Sequence, residues 1–337
     1  MIALVESERK EEGGGNMSKG VLRDVEELMS GSVEFKHSKD HLRKKIERVA
    51  ERSPEVMVKV TGHTKGVKHM LSHLDYISRN GKVELETERG DILKSKEEVR
   101  KLHSEWAKNN GKRTKNTRET SNIILSMPEE TNPKKVKEAV REFAKKTFSE
   151  NYQYVFALHE DTKNPHVHLT IKTLGFDRKR LQIKKGDPQK WREGFARELR
   201  YLGVEAEATG RAARGVILKG IPQVIKHIRE RGFTPKTDEK RVKEMLEEIR
   251  KEQQGKALNK KDWEVSIAEK QSAVRKAWIG AAKSLAKTGR EEDYKLAKSI
   301  VSFVEKMPVI KTANHLIKEK LVKQIEQNRG LSKGIDR

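Results

Sequence analysis

Two observations along the 337-residue sequence predict an α+β fold, with a central antiparallel sheet, helices packed on one face and a mostly helical C-terminal domain. Short β-branched runs alternate with amphipathic segments from about Ser53 to Gly220. Beyond Gly220 strand signals almost vanish, and Lys, Glu, Ala and Leu dominate.

Each element follows from its local pattern. Residues 1–50 form an N-terminal extension, with a break at Gly13-Gly14-Gly15, a second candidate start at Met17 and a polar helix over about 39–51. The sheet-bearing domain, 51–220, opens with a strand over 56–60 and a helix over 64–79 that Asn80-Gly81 closes. Val83 and Leu85 share one face of a strand over 82–87, a basic polar loop covers 108–118, and 121–127 is an apolar strand. Asn132 then caps a helix that has Pro133 at its first position and Val136, Val140, Phe143 and Ala144 as its buried stripe. Strands over 152–158 and 166–173 flank a turn containing Asn164-Pro165. Asp187-Pro188 starts a helix whose Trp191, Phe195, Leu199 and Leu202 fall on one side, and Gly203 ends it. The helical accessory domain, 221–337, has candidates over 238–253, 261–287, 291–307 and 312–327.

Charge narrows the function. Lys and Arg number 74 against 51 Asp and Glu, a formal net charge of +23, which suits a polyanion such as nucleic acid. The charged stretches carry no strongly apolar face with aromatic anchors, so an anionic membrane surface is the poorer match. No apolar run approaches the roughly 20 residues that cross a bilayer, so membrane insertion is not expected. With Cys 0, disulfide frameworks and thiolate chemistry are excluded, and a cytoplasmic protein is expected.

The chemistry concentrates in YVFALHEDTKNPHVHLTIK, residues 154–172. Successive strand residues point to opposite faces, so Tyr154, Phe156 and Leu158 separate from Val155, Ala157 and His159. On the returning strand Val167, Leu169 and Ile171 alternate with His166, His168 and Thr170. If the apolar sets share the core face, His159, His166 and His168 meet on the other, with small Ala157 and Thr170 leaving room. Three neutral imidazoles can hold a divalent cation with positions open for water or a substrate oxygen, and alone would equally suit a zinc hydrolase with a bound hydroxide. Asp161, in the connecting turn, is placed to accept an imidazole N–H and fix its tautomer.

A nucleophile comes from HTKGVKHMLSHLDYISRNG, residues 63–81. Val67, Met70, Leu71, Leu74 and Ile77 make an apolar helical stripe, and Tyr76 projects opposite Val67. Lys65, Lys68, His69, Ser72 and Arg79 share the Tyr76 side and make it cationic, suited to phosphate. A tyrosine on a basic helix, a three-histidine metal site and a basic chain together suggest phosphoryl transfer from DNA to tyrosine. A phenol of pKa about 10 is scarcely ionised at neutral pH, so attack needs a base or transition-state help. Asp161, His69 and His73 are the candidate proton acceptors. Lys65, Lys68, Arg79, Arg211 and Arg214 are expected to track the backbone of single-stranded DNA.

HLDYISRNGKVELE (73–86), SNIILSMPEETNP (121–133), HEDTKNPHVHL (159–169) and ATGRAARG (208–215) resemble, in order and spacing, the plasmid relaxases and mobilization nucleases of the VirD type, which are tyrosine HUH endonucleases. The resemblance covers about 53–220. It implies an HUH-type sheet, Tyr76 as the nicking tyrosine, His159, His166 and His168 as metal ligands, and Ser126 near the bound strand. It implies a site- and strand-specific DNA transesterase at a plasmid transfer origin, forming a 5′-phosphotyrosyl link for conjugation or mobilization. Its partners would be single-stranded and duplex origin DNA, relaxosome accessory proteins and a type IV coupling protein, with export alongside DNA through the secretion channel. The competing readings are a metal-dependent nuclease using a histidine-bound water, a rolling-circle replication initiator and a non-enzymatic nucleic-acid-binding scaffold.

Overall fold

The structure, a computed structural model, describes residues 36–108, 114, 116–218, 220–256 and 261–335. Gly13-Gly14-Gly15, Met17 and most of the expected basic loop lie outside them. Among the described residues no helix is long and apolar enough to cross a membrane. Contacts divide the chain into two compact units, one spanning Glu51–Thr209 and the other drawn from the described parts of 1–50 and 210–337.

The first unit runs β1 (Met57–Lys65), α2 (Val67–Ile77), β2 (Leu85–Thr87), β3 (Ile92–Leu93), α3 (Lys96–Lys108), β4 (Arg118–Ser126), α4 (Pro133–Phe148), β5 (Tyr154–His159), β6 (His166–Lys172) and α5 (Asp187–Tyr201); α1 (Lys36–Ala50) precedes it in the chain. Its six strands lie in the order β1-β4-β6-β5-β2-β3, and every pairing is antiparallel. The expected sheet is therefore present, with one difference: helices cover both faces. On one face Phe156, Leu169 and Ile171 pack with Val140 and Phe143 of α4 and with Phe195 and Leu199 of α5. On the other, Val155 and Ala157 pack with Met70, Leu74 and Ile77 of α2 and with Trp106 of α3. Alternation supplies the reason. Val155 and Ala157 give the histidine face an apolar floor of its own, and α2 and α3 bury it.

Sequence reading located α4 well: the Asn132 side chain accepts from Lys134 N at 2.9 Å, and Pro133 occupies the first helical position. It missed α3, although the signal was present. Ser95 Oγ accepts from Glu98 N at 3.2 Å while Glu98 Oε2 accepts from Ser95 N at 3.0 Å, a reciprocal capping box. The helix expected over 64–79 is shorter at both ends. Thr64 and Lys65 finish β1, and Arg79 lies beyond the helix in a turn. Arg79, Asn80 and Gly81 all have positive φ, at 51°, 58° and 86°. Gly81 is required there, because a Cβ would stand 2.6 Å from Lys96 N.

The second unit is helical. It contains α1, the turn Arg211–Arg214, α6 (Gln223–Glu230), α7 (Lys236–Gln253), α8 (Asp262–Ala286), α9 (Glu291–Glu305) and α10 (Ala313–Ile335). Ile46 and Val49 of α1 pack with Val274 and Trp278 of α8 and with Ile300 and Phe303 of α9. Arg43 of α1 pairs with buried Asp293. The turn is held by α8, where Trp278 Nε1 donates to Ala213 O at 2.9 Å and Gln271 Nε2 to Ala212 O at 3.1 Å. Unit contacts thus change at Thr209/Gly210, eleven residues before the division expected after Gly220.

Candidate active site

Register builds the site from β5 and β6. His159 pairs with His166 and Ala157 with His168, so the three imidazoles emerge on one face beside a small side chain. Their ring centroids are 5.4 Å (His159–His166), 4.5 Å (His159–His168) and 5.2 Å (His166–His168) apart. Each offers a ring nitrogen within 4.8 Å of the others.

Backbone carbonyls set two of the tautomers. His159 Nε2 lies 2.7 Å from Ile77 O and His166 Nδ1 lies 3.1 Å from Asn164 O. A carbonyl only accepts, so each of those nitrogens carries a proton, and in the neutral ring the other nitrogen is the one with a lone pair. His168 Nε2 is buried and has no hydrogen-bond partner. Burial first, then His159 and His166, hold the His168 pKa down at about 3, and burial likewise lowers that of His159. Three imidazoles, two pre-oriented by carbonyls and one with an orphaned buried nitrogen, fit a divalent cation.

The packing of Met70, Leu74 and Ile77 brings α2 over this face. Tyr76, 51% exposed, makes T-shaped contacts with the triad, with centroids 5.5 Å from His168 and 6.4 Å from His159. His73, one turn earlier, places Nε2 2.9 Å from Thr170 Oγ1 on β6, and burial lowers its pKa to about 4.

The remaining expected residues are placed unequally. Ser126 ends β4 opposite His166, on the triad's face, and its hydroxyl donates to Met127 O at 3.3 Å. Lys65 and Lys68 are exposed, the first ending β1 and the second on the first turn of α2, so the cationic side is shared by two elements rather than carried by one helix. Arg79 pairs with Asp161 and lies over the Tyr76 ring, with Cζ 5.0 Å from its centroid. Asp161 therefore receives a guanidinium, not the imidazole N–H expected of it. Burial opposes its ionisation, but Arg79, then His159, outweigh that and lower its pKa. Arg211 and Arg214 belong to the other unit. The Ile77 and Asn164 carbonyls escaped sequence reading because every residue carries one.

Three clustered imidazoles thus face a half-exposed tyrosine, and comparison shows what the stretch that carries them is similar to. Residues 76–200 match the family model "Relaxase: MobA/VirD2-like, nuclease domain". The expected resemblance is thereby shown over this stretch, which is similar to the nuclease domains of MobA/VirD2-like relaxases. The chain is 29% identical over 185 residues to the T-DNA border endonuclease VirD2 of Rhizobium radiobacter, covering 48% of this chain and 43% of that protein. It is 26% identical over 190 residues to VirD2 of Rhizobium rhizogenes, covering 50% and 43%. VirD2 of Agrobacterium fabrum (strain C58 / ATCC 33970) is 25% identical over 185 residues, covering 48% and 41%. The matches thus span less than half the length of these curated relatives. A solved structure, "Molecular Basis of Vancomycin Resistance Transfer in Staphylococcus aureus", aligns over 47% of this chain and 99% of that chain at 15% identity and TM-score 0.32, too low a likeness to carry an argument.

Proposed function

We propose that the chain is a DNA relaxase that nicks one strand at a plasmid transfer origin and becomes joined to the 5′ end. The observation that carries this is Tyr76 in T-shaped contact with His168 and His159 of the three-histidine cluster, within a stretch that matches relaxase nucleases.

Tyr76 Oη attacks the scissile phosphorus and gives up its proton, and the bond from phosphorus to the 3′ oxygen breaks. That oxygen takes a proton, leaving a 3′-hydroxyl and a 5′-phosphotyrosyl ester. One phosphate ester replaces another, so the step can reverse, as strand transfer requires. His159, His166 and His168 hold a divalent ion, Mg2+ or Mn2+. When bound, it supplies charge withdrawal from the non-bridging phosphate oxygens. Lys65, Lys68 and Arg79 attract the DNA backbone, and Ser126 lies along the strand's path. The nicking chemistry belongs to the Glu51–Thr209 unit. The helical unit, with Arg211 and Arg214, serves duplex origin DNA, relaxosome proteins or a type IV coupling protein. The protein acts in the cytoplasm before export with its DNA.

The test is incubation of the Tyr76→Phe variant and the parent with single-stranded origin oligonucleotides and Mn2+, followed by a denaturing gel. The parent yields a covalent protein–DNA adduct, and the variant loses it by at least about a thousandfold while keeping DNA binding. Cleavage without an adduct in the parent would favour a histidine-bound water as nucleophile.

A further inference from the structure

Arg79 makes three contacts at once. Its guanidinium pairs with Asp161, its Cζ lies over the Tyr76 ring, and its Nη2 is 3.4 Å from His159 Nδ1. The third contact is the informative one. Because His159 Nε2–H is committed to Ile77 O at 2.7 Å, Nδ1 is the only ring nitrogen on which His159 has a lone pair to give. Arg79 donates to that lone pair. With Nε2–H held by Ile77 O, a cation bound by the three histidines would have to use the same atom. One lone pair cannot serve an N–H donor and a metal ion together, and a guanidinium stays charged throughout the working pH range.

The backbone keeps Arg79 at this position. Arg79 and Asn80 are consecutive non-glycine residues in the left-handed region, at φ 51° and 58°, a conformation that persists where the surroundings over-determine it. Here they do: Arg79 N donates to Tyr76 O at 3.2 Å, Asn80 N to Asp75 O at 2.7 Å and Gly81 N to Ser78 O at 2.9 Å. The Arg79 and Asp161 side chains are 37% and 49% exposed, so the guanidinium can shift without a buried charge being stranded.

We propose that Arg79 competes with the divalent cation for His159 Nδ1, and that Asp161 is the anchor that retains the guanidinium when it gives up that atom. The Arg79–Asp161 pair then sets the affinity of the site, and filling the site frees a cationic group beside Tyr76. This rests on the reading that the triad holds the cation.

Calorimetric titration of the full chain with Mn2+ alone tests it, with thermal melts confirming that each variant folds. Arg79→Gln is expected to bind Mn2+ about tenfold more tightly than the parent, and Asp161→Asn about tenfold more weakly. His159→Ala is expected to lose the site. If His159→Ala binds like the parent, the triad reading fails and this inference with it. If His159→Ala loses Mn2+ while Arg79→Gln binds no more tightly than the parent, only the competition is overturned.

Discussion

The ring of Tyr76 meets that of His168 at 88° with 5.5 Å between centroids, although the two residues belong to a helix and a strand more than ninety positions apart. The contact joins the proposed nucleophile to the triad member whose buried Nε2 has no hydrogen-bond partner. Alanine at His168 should therefore disturb both partners. Mn2+ affinity should fall by at least about tenfold to a hundredfold in each of His159→Ala, His166→Ala and His168→Ala. His73→Gln, which leaves the triad intact, should change Mn2+ affinity less than about twofold. Calorimetry showing unchanged affinity in all three alanine variants would remove the metal assignment.

Acid stability should report His73. In the folded protein it takes a proton only near pH 4, against 6.5 for the unperturbed side chain. Between those values unfolding takes up a proton, so stability is full above about 6.5 and is lost as the pH falls toward 4, by up to about 3 kcal/mol. His168, held at about 3, acts in the same direction. Urea midpoints measured from pH 7.5 to 4.5 should fall less steeply in His73→Gln than in the parent; parallel slopes would contradict the assignment.

Salt should weaken the binding of single-stranded oligonucleotides. Each phosphate neutralised contributes about −0.7 to the slope of log affinity against log salt. Lys65→Ala and Lys68→Ala should each make the slope shallower by about that amount, with little change in melting temperature because both side chains are exposed. An unchanged slope in the double variant would place the DNA elsewhere.

Truncation should follow the unit boundary. A protein spanning 51–209 keeps Tyr76 and all three histidines and should still cleave a minimal oligonucleotide. Extending it to Gly220 adds the turn Arg211–Arg214 without Trp278 and Gln271, which hold that turn's carbonyls. The longer form should melt within about 2 °C of the shorter and lose residues 210–220 to limited proteolysis. Failure of a folded 51–209 protein to cleave would mean that the helical unit takes part in the chemistry.

Much of the site was legible from local periodicity. Strand alternation alone puts His159, His166 and His168 on one face, because the two-residue period holds whatever the strand packs against. The apolar stripe of α2 likewise turns Tyr76 away from the core by helical geometry. Local signals also mark two helix starts, Asn132 and Pro133 for α4 and the Ser95–Glu98 capping box for α3. Tertiary packing decided the rest. The burial of Met70, Leu74 and Ile77 against Val155 and Ala157 lays α2 over the histidine face, so that Tyr76 meets His168 and the Ile77 carbonyl sets the His159 tautomer. The same packing, with the left-handed turn at Arg79, takes Asp161 from the imidazoles and gives it to a guanidinium. A periodic pattern states which side of an element is apolar, whereas the choice of element that covers it depends on shape and on contacts between distant residues, which no local window contains.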